Sequence, residues 1–532
     1  MKASTTCVKA FNAQDSRDRE FLSWLRANGA QFEHLEWPSR NTERNVRGAT
    51  ARKEISTEEH IVVIPQRLMM SEVHARGDPD LGHVYRNNLP ILKYDNGLAV
   101  YVMQEIVKGE RSFYAPYLRV LPEPRNLRHW GDSSLIELQN PNLARRSAAR
   151  RRHLHLLYER TFEVLDTEYP GLFLRNRYTF NLFDFAWSTI QARAFGKRLA
   201  FSALVPLADC LNHGNVQTKY DFDMESNGLF RLFPSGENHY PKGAEVLNSY
   251  GRRSNDNLLL EYGFAMLDNE WDEVEVSLNL PSWEPMFDRI QAILRDSGQC
   301  TSRVFSLRRD DWAVEMLHFQ RCVCLTTSEL DCLEIKRACD AHSPEAAAGI
   351  DRVGDKSTSH SEETRVPEEN LKALEGGGEG GEGGDKAGGA NPTNEMYEKF
   401  PSKALFCKNE IAALTELILK LQEMLDSYPT RAEDDKSSLE AQDGRNPDLE
   451  SALAYRLTAK RILQRQRRMV QLAIDFVQEI EKELEIAADD DKSDGELSSR
   501  CSIPEERVPP AFVSYLAELK ITLLSPRAAA VE

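Results

Sequence analysis

The sequence predicts an α+β domain over residues 18–270, made of short strands around a helical insert, followed by an all-α domain over 284–485. Three observations carry that reading. Short apolar or alternating runs, bounded by Pro or Gly, mark strands near both ends of the first region. Between them, about 85–200, the apolar residues recur at helical spacing. From 284 onward that spacing continues almost without a strand-like break.

Taken in order, "DREFLSWLRANGA" (18–30) reads as an amphipathic helix, and "HIVVIPQRLMM" (60–70) as a buried strand stopped by Pro65. "GLFRLFPSG" (228–236) and "EVEVSLNL" (273–280) read as further strands. In the second region "KNEIAALTELILKLQEMLDSY" (408–428) is a helix ending at "YPT". The stretch 448–487 is long enough for one extended helix or two, and antiparallel packing of such stretches would make a bundle. Residues 345–395, rich in Glu and Gly, cannot bury enough apolar surface to offset their ordering entropy and are expected to be disordered. The same composition argument predicts disorder for 431–448 and 488–500, and 486–532 reads as a C-terminal tail.

Bulk properties narrow the function. A chain of 532 residues with 41% hydrophobic and 28% charged content can bury at least two cores. No run of about 18 apolar residues is present, so no membrane span is expected. The start lacks the apolar segment of a secretory signal, and nine cysteines in mostly apolar surroundings suggest reduced thiols. Both point to an intracellular protein, cytoplasmic or nuclear. A net charge of −17 argues against general nucleic-acid binding. Two basic helical stretches stand out against it, 144–160 and 456–468. Each is either a solvated face balancing nearby acid or a docking surface for an acidic protein partner.

The segment "LVPLADCLNHGN" (204–215) sets Asn212 and His213 behind an apolar run. Asp209 and His213, four apart, would share a helix face as metal ligands, but Pro206 disfavours that helix and no third ligand motif is present. Cys322, Cys324, Cys332 and Cys339, near His318 and His342, have helical apolar spacing and read as core residues, so no metal is expected. An Asn-His pair alone could simply be hydrogen-bonded in a core. Its neighbours change that. Downstream, "KGAEVLNSYGRRSNDNLLLEYGF" (242–264) carries two Tyr-Gly elements, and upstream "NLFDFAWSTIQARAF" (181–195) is an apolar helix with an out-of-place Arg193.

This order resembles the SET-domain methyltransferases of the Rubisco large-subunit methyltransferase type. "FLSWLRANGA" (21–30), "RGATARKEISTEEHIVVIPQRLMMSE" (47–72), "YAPYLRVLPEP" (114–124), "LVPLADCLNH" (204–213) and "SYGRRSNDNLLLEYGF" (249–264) match the family's successive segments, and the helical half is similar to its substrate-binding domain. The resemblance implies a protein-lysine N-methyltransferase using S-adenosylmethionine, acting as a monomer on a non-histone protein substrate, with no nucleic-acid or membrane partner. It places Asn45, Arg47, Arg193, Asp209, Asn212 and His213 around the cofactor, and the carbonyls of Ala192 and Asp209 beside the transferring methyl. Ala192, Tyr262 and Phe264 fall on the substrate side, and Tyr250 supplies the catalytic hydroxyl. One departure is Val46, where the family has the first glycine of a Gly-x-Gly. Two alternatives stay open. One is a histidine N-methyltransferase of the same fold; a relative that methylates a histidine in actin lacks the second tyrosine, which this chain has as Tyr262. The other is a SET-like binding module without activity.

Overall fold

The computed structural model describes residues 2–39, 46–196, 199, 201–223, 228–312, 314–331, 404, 407–442, 444, 446–489 and 508–524. They divide into two compact units, Met1–Asp272 with Thr430–Thr458, and Glu273–Pro429 with Ala459–Glu532.

In the first unit nine short strands form four small sheets. They are β1 (Leu35–Ser39), β2 (Gly48–Ala51), β3 (Val62–Pro65), β4 (Met70–Ser71), β5 (Ala203–Leu204), β6 (Asn212–His213), β7 (Thr218–Asp223), β8 (Leu229–Pro234) and β9 (Leu247–Asn248). The orders are β1-β2, β3-β8-β7 and β4-β5, all antiparallel, and β6-β9, which is parallel. Pro65 closes β3 because it has no N–H to add to the ladder. The parallel pair β6-β9 needs a long crossover. That connection, running through β7 and β8, brings the Asn-His step beside Leu247 and Asn248.

Between β4 and β5 the chain is helical. The longest pieces are Tyr94–Lys108, Pro141–Glu168 and Phe180–Arg193. Asn140 caps Pro141–Glu168 by accepting from the Leu143 N–H, with proline in the first turn. Leu154, Tyr158, Phe162 and Leu165 of that helix enter the main core. Thr179 caps Phe180–Arg193 in the same way, and its Phe183, Ala186 and Ile190 are buried.

The 431–448 segment corrects an expectation. It contains the helix Ala432–Glu440 and the start of a single 43-residue helix, Pro447–Asp489. What orders it is charge rather than apolar surface. Asp435 is fully buried and accepts from Arg456 Nε at 2.8 Å and from Thr430 Oγ1 at 2.8 Å, while Arg456 also binds Glu137 at 2.8 Å. A composition argument is blind to such pairings. The segment 345–395, and all of 488–500 beyond Asp489, lie outside the described residues.

Among the described residues the second unit is helical except for one hairpin, β10 (Glu273–Asn279) with β11 (Ser302–Arg308). The helical reading of 284–485 passed over β11. Val276 and Leu278 face Phe305 and Leu307 into a core shared with Leu317, Phe319, Leu414, Leu417, Val470 and Val477. Part of the expected tail also belongs to this core: the helix Pro510–Leu523 buries Phe512, Tyr515 and Leu516. Cys322 is buried there and Cys324 half-buried; Cys332 and Cys339 lie outside the described residues.

Candidate active site

The site begins where the helix Phe180–Arg193 ends. Arg193 Nη1 donates to the carbonyl oxygen of Asp209 at 2.7 Å and lies 3.9 Å from its Oδ2. Tyr117, fully buried, donates to the same Oδ2 at 2.5 Å. Burial pushes the Asp209 carboxyl up, against the pull of Arg193 and of the Tyr117 hydroxyl. Burial alone would lower the Arg193 guanidinium, but Asp209, Cys210, Tyr117 and Tyr250 outweigh it and leave it above its ordinary value. The turn Ala208–Cys210 is entered through Leu207, fully buried at φ +74°, a strained backbone for a leucine.

β6 then presents the Asn-His step. Asn212 is half-buried and gives one amide hydrogen to Glu245 Oε1 at 2.8 Å. β2 fixes the segment carrying Glu245, through Val246 N–H to Ala49 O at 2.9 Å and Ala51 N–H to Ala244 O at 2.9 Å. Gly214 follows, where a Cβ would come within 2.6 Å of a terminal methyl of Leu247 and oblige that side chain to turn away.

His213 is buried, and its Nδ1 lies 3.1 Å from the Tyr250 backbone nitrogen and 3.3 Å from the Asn248 carbonyl oxygen. Its ring stacks on Tyr250 with centroids 4.9 Å apart, and Tyr250 stacks on Tyr262, again at 4.9 Å. Phe264 stands edge-on to Tyr262 at 6.2 Å and tilted to His213 at 6.2 Å. The four rings therefore form one connected wall. The Tyr250 hydroxyl donates to Leu211 O at 2.7 Å, and burial holds the phenol well above its ordinary range. Tyr262 is pushed up by burial too, with Arg253 pulling the other way.

The segment carrying these tyrosines is latched by Asn255, which is fully buried. Its backbone N–H and its Nδ2 both donate to the Asp272 carboxylate at 2.8 Å. Its side chain also brackets Met266, accepting the Met266 N–H and donating to its carbonyl, both at 2.9 Å. Tyr262 closes a π-helical turn, Leu258–Tyr262. Such turns recur at functional sites. Gly263 ends it at φ +83°, where a Cβ would lie 2.1 Å from Arg125 O. Glu261 of the turn pairs with Arg150, and Asp256 just before it pairs with Arg146 at 2.7 Å.

Arg193, Asp209, Asn212, His213, Tyr250, Tyr262 and Phe264 are thus linked by hydrogen bonds, strand pairing and ring contacts. Ala192 is one residue before Arg193 on the same helix. Arg47 pairs with Asp18, donates to Val120 O at 3.0 Å and lies 4.2 Å from the centre of the Trp37 ring. Its charge still reaches Cys210. Asn45 lies outside the described residues. Sequence reasoning passed over Tyr117, Glu245, Asn255 and Asp272. For Asn255 a signal existed, an amide at the start of the apolar run "LLL"; for Asp272 none did. Among the described residues no group of three or more His, Cys, Asp or Glu is placed to hold a metal.

Comparison with known proteins agrees with this architecture. The model of the Rubisco LSMT substrate-binding family matches residues 390–463. Relatives include the actin-histidine N-methyltransferases of Xenopus tropicalis, 26% identical over 331 residues, and of Homo sapiens, 24% identical over 325 residues. Each alignment covers 58% of this chain, and the chain spans about half the length of these relatives (54% and 53%). Among solved structures, Rubisco LSMT bound to sinefungin and monomethyllysine superposes with a TM-score of 0.59 at 19% identity, covering 87% of this chain and 93% of that one. The SET domain of LSMT bound to lysine and AdoHcy gives 0.58 at 18% identity, with 87% and 92% covered. The chain therefore has the SET fold of the Rubisco LSMT type and carries a Rubisco LSMT substrate-binding segment.

Proposed function

We propose that this chain is an S-adenosylmethionine-dependent protein N-methyltransferase and that its acceptor is a lysine side chain. The observation that carries the reading is the wall His213–Tyr250–Tyr262–Phe264 beside the half-buried Asn212. The donor set fits the cofactor. After its bond to Glu245, Asn212 keeps one amide hydrogen and its amide oxygen, the complementary pair that a zwitterionic amino-acid end requires. The Glu245 carboxylate adds negative charge for an ammonium. S-adenosylmethionine would supply an electrophilic methyl group.

The residues of the chain supply the rest. Tyr250 gives its proton to Leu211, so its oxygen keeps lone pairs for weak C–H contacts. Held neutral by burial, its phenol is a poor general base. Positioning therefore dominates the catalysis. A lysine acceptor must lose its proton, which at pH 7 costs roughly 4.6 kcal/mol from a pKa near 10.4. A dry channel beside a cation lowers that cost by desolvation and like-charge repulsion. Tyr262 and Phe264 are suited to wall the aliphatic stem.

A second reading has its own support, because the relatives named above are histidine methyltransferases. One experiment separates the possibilities. The purified chain is incubated with methyl-labelled cofactor and a cell extract, and the labelled residue is identified by mass spectrometry. Label on a lysine supports the proposal; label on a histidine replaces it with the second reading. Absence of cofactor binding by calorimetry would sink both.

A further inference from the structure

The long helix Pro141–Glu168 has six arginines, and the active-site segment uses two of them, Arg146 with Asp256 and Arg150 with Glu261. The other four, Arg145, Arg151, Arg152 and Arg160, are exposed and make no ion pair among the described residues. Arg145 contacts only its own helix turn, through Asn142 and the Pro141 carbonyl. Positions 145, 152, 156 and 160 fall on one helix face, at steps of seven, four and four. That face is a ridge of three arginines around Leu156, which is 62% exposed. The acid at its flank, Glu159, is taken up by Arg175 at 3.4 Å, and Glu163 marks the ridge's end.

In a chain of net charge −17, three exposed arginines in line that form no ion pair among the described residues are not explained by balancing nearby acid. Their place matters as well. The ridge lies on the helix that also grips Asp256, just before the turn on which Tyr262 sits, and Glu261 within that turn. We propose that this ridge docks an acidic, extended segment of the protein substrate and so delivers the acceptor side chain to the Tyr250–Tyr262 wall. From Arg145 to Arg160 the helix rises about 22 Å, the reach of roughly seven extended residues. Arginine's planar fork suits Asp and Glu side chains spaced along such a segment. The identification of the segment as substrate rests on the methyltransferase reading; the binding of an acidic chain does not.

The test uses the full chain and a fluorescein-labelled poly-glutamate of about 20 residues, read by fluorescence anisotropy at low salt. The triple variant R145Q/R152Q/R160Q is expected to weaken binding about ten-fold, the loss of three exposed charge pairs, and to flatten its salt dependence. The variant R145K/R152K/R160K keeps the charges and is expected to retain most of the binding. Equal binding by the native and Gln proteins overturns the proposal, as does a Lys variant that loses as much as the Gln variant. A single-stranded oligonucleotide binding more tightly than poly-glutamate, with the same dependence on the three arginines, overturns it in favour of nucleic acid. Calorimetric cofactor binding by the Gln variant separates the two readings. Failure of the native chain to bind cofactor sinks the methyltransferase and leaves the ridge, whereas normal cofactor binding with no poly-glutamate effect does the reverse.

Discussion

Replacing Tyr250 by phenylalanine removes one oxygen and leaves the ring stack on His213 and Tyr262 in place. In the folded protein that oxygen donates to Leu211 O at 2.7 Å. If holding that carbonyl is all it does, Tyr250→Phe costs about 1 kcal/mol of stability and leaves turnover nearly intact. The proposed role predicts more. A hydroxyl whose proton is fixed on Leu211 keeps its lone pairs for the methyl and the amine, contacts realised mainly in the transition state. Losing them should lower the rate constant by a factor on the order of 10², equivalent to about 2.7 kcal/mol of barrier. Cofactor affinity should change little, because the stacked ring remains. Transfer of labelled methyl at saturating cofactor, calorimetry and the melting temperature, measured on one preparation, give all three quantities. A rate within a few-fold of the native protein alongside lowered stability would return Tyr250 to the scaffold.

Gly263→Ala should destabilise the fold by about 2–4 kcal/mol, since φ is +83° and the new Cβ would meet the Arg125 backbone; an unchanged denaturation midpoint would refute it. Asn255→Ala leaves the buried Asp272 carboxylate and both Met266 backbone groups short of partners, a loss of about 3 kcal/mol, with slower methyl transfer as Tyr262 loosens. Tyr117→Phe removes the hydroxyl donor from the buried Asp209 carboxyl and should cost about 1.5–3 kcal/mol; calorimetric melting of native protein and variant checks it. Burial holds the His74 ring below its ordinary pKa of 6.5. The unfolded chain then takes a proton that the folded one refuses, so stability is full above pH 6.5 and falls as pH drops below it. Denaturation midpoints at pH 7.5 and 5.5 should differ less in His74→Gln than in the native chain, and an equal difference would count against this assignment.

Local signals were readable wherever the physics was local. Val62–Pro65 and Leu229–Pro234 announced themselves as strands by apolar density and a proline stop, and they pair with each other. The Asn-His step and the two Tyr-Gly elements were readable as a set, and the fold joins them through the β6-β9 pair and the ring wall. Other residues carry meaning only through distant partners. Asp435 reads as one more acid in a polar stretch until Arg456 reaches it, and Asp272 acquires its role from an asparagine 17 positions earlier. Arg47 gains its partners in the same way. Its distance from the Asn-His step in sequence says nothing of Asp18, which takes its guanidinium.

The ring wall also bears on which acceptor this chain could use. A lysine brings four methylenes, each worth about 0.8 kcal/mol when removed from water. Fully walled, the stem offers roughly 3 kcal/mol toward the 4.6 or so needed to neutralise the amine at pH 7. Desolvation of the ammonium itself must supply the remainder. An imidazole has neither the stem nor the deficit, since near its pKa of about 6.5 much of it is already neutral. Tyr262, stacked on the face of Tyr250 away from His213, and Phe264 beside it are therefore worth more to a lysine stem than to an imidazole. The buried latch at Asn255 and the unforgiving Gly263 hold that outer part of the wall in place. A flat, already neutral ring draws less on such a wall; the proposal of a lysine acceptor rests on that difference, while the relatives support the histidine reading.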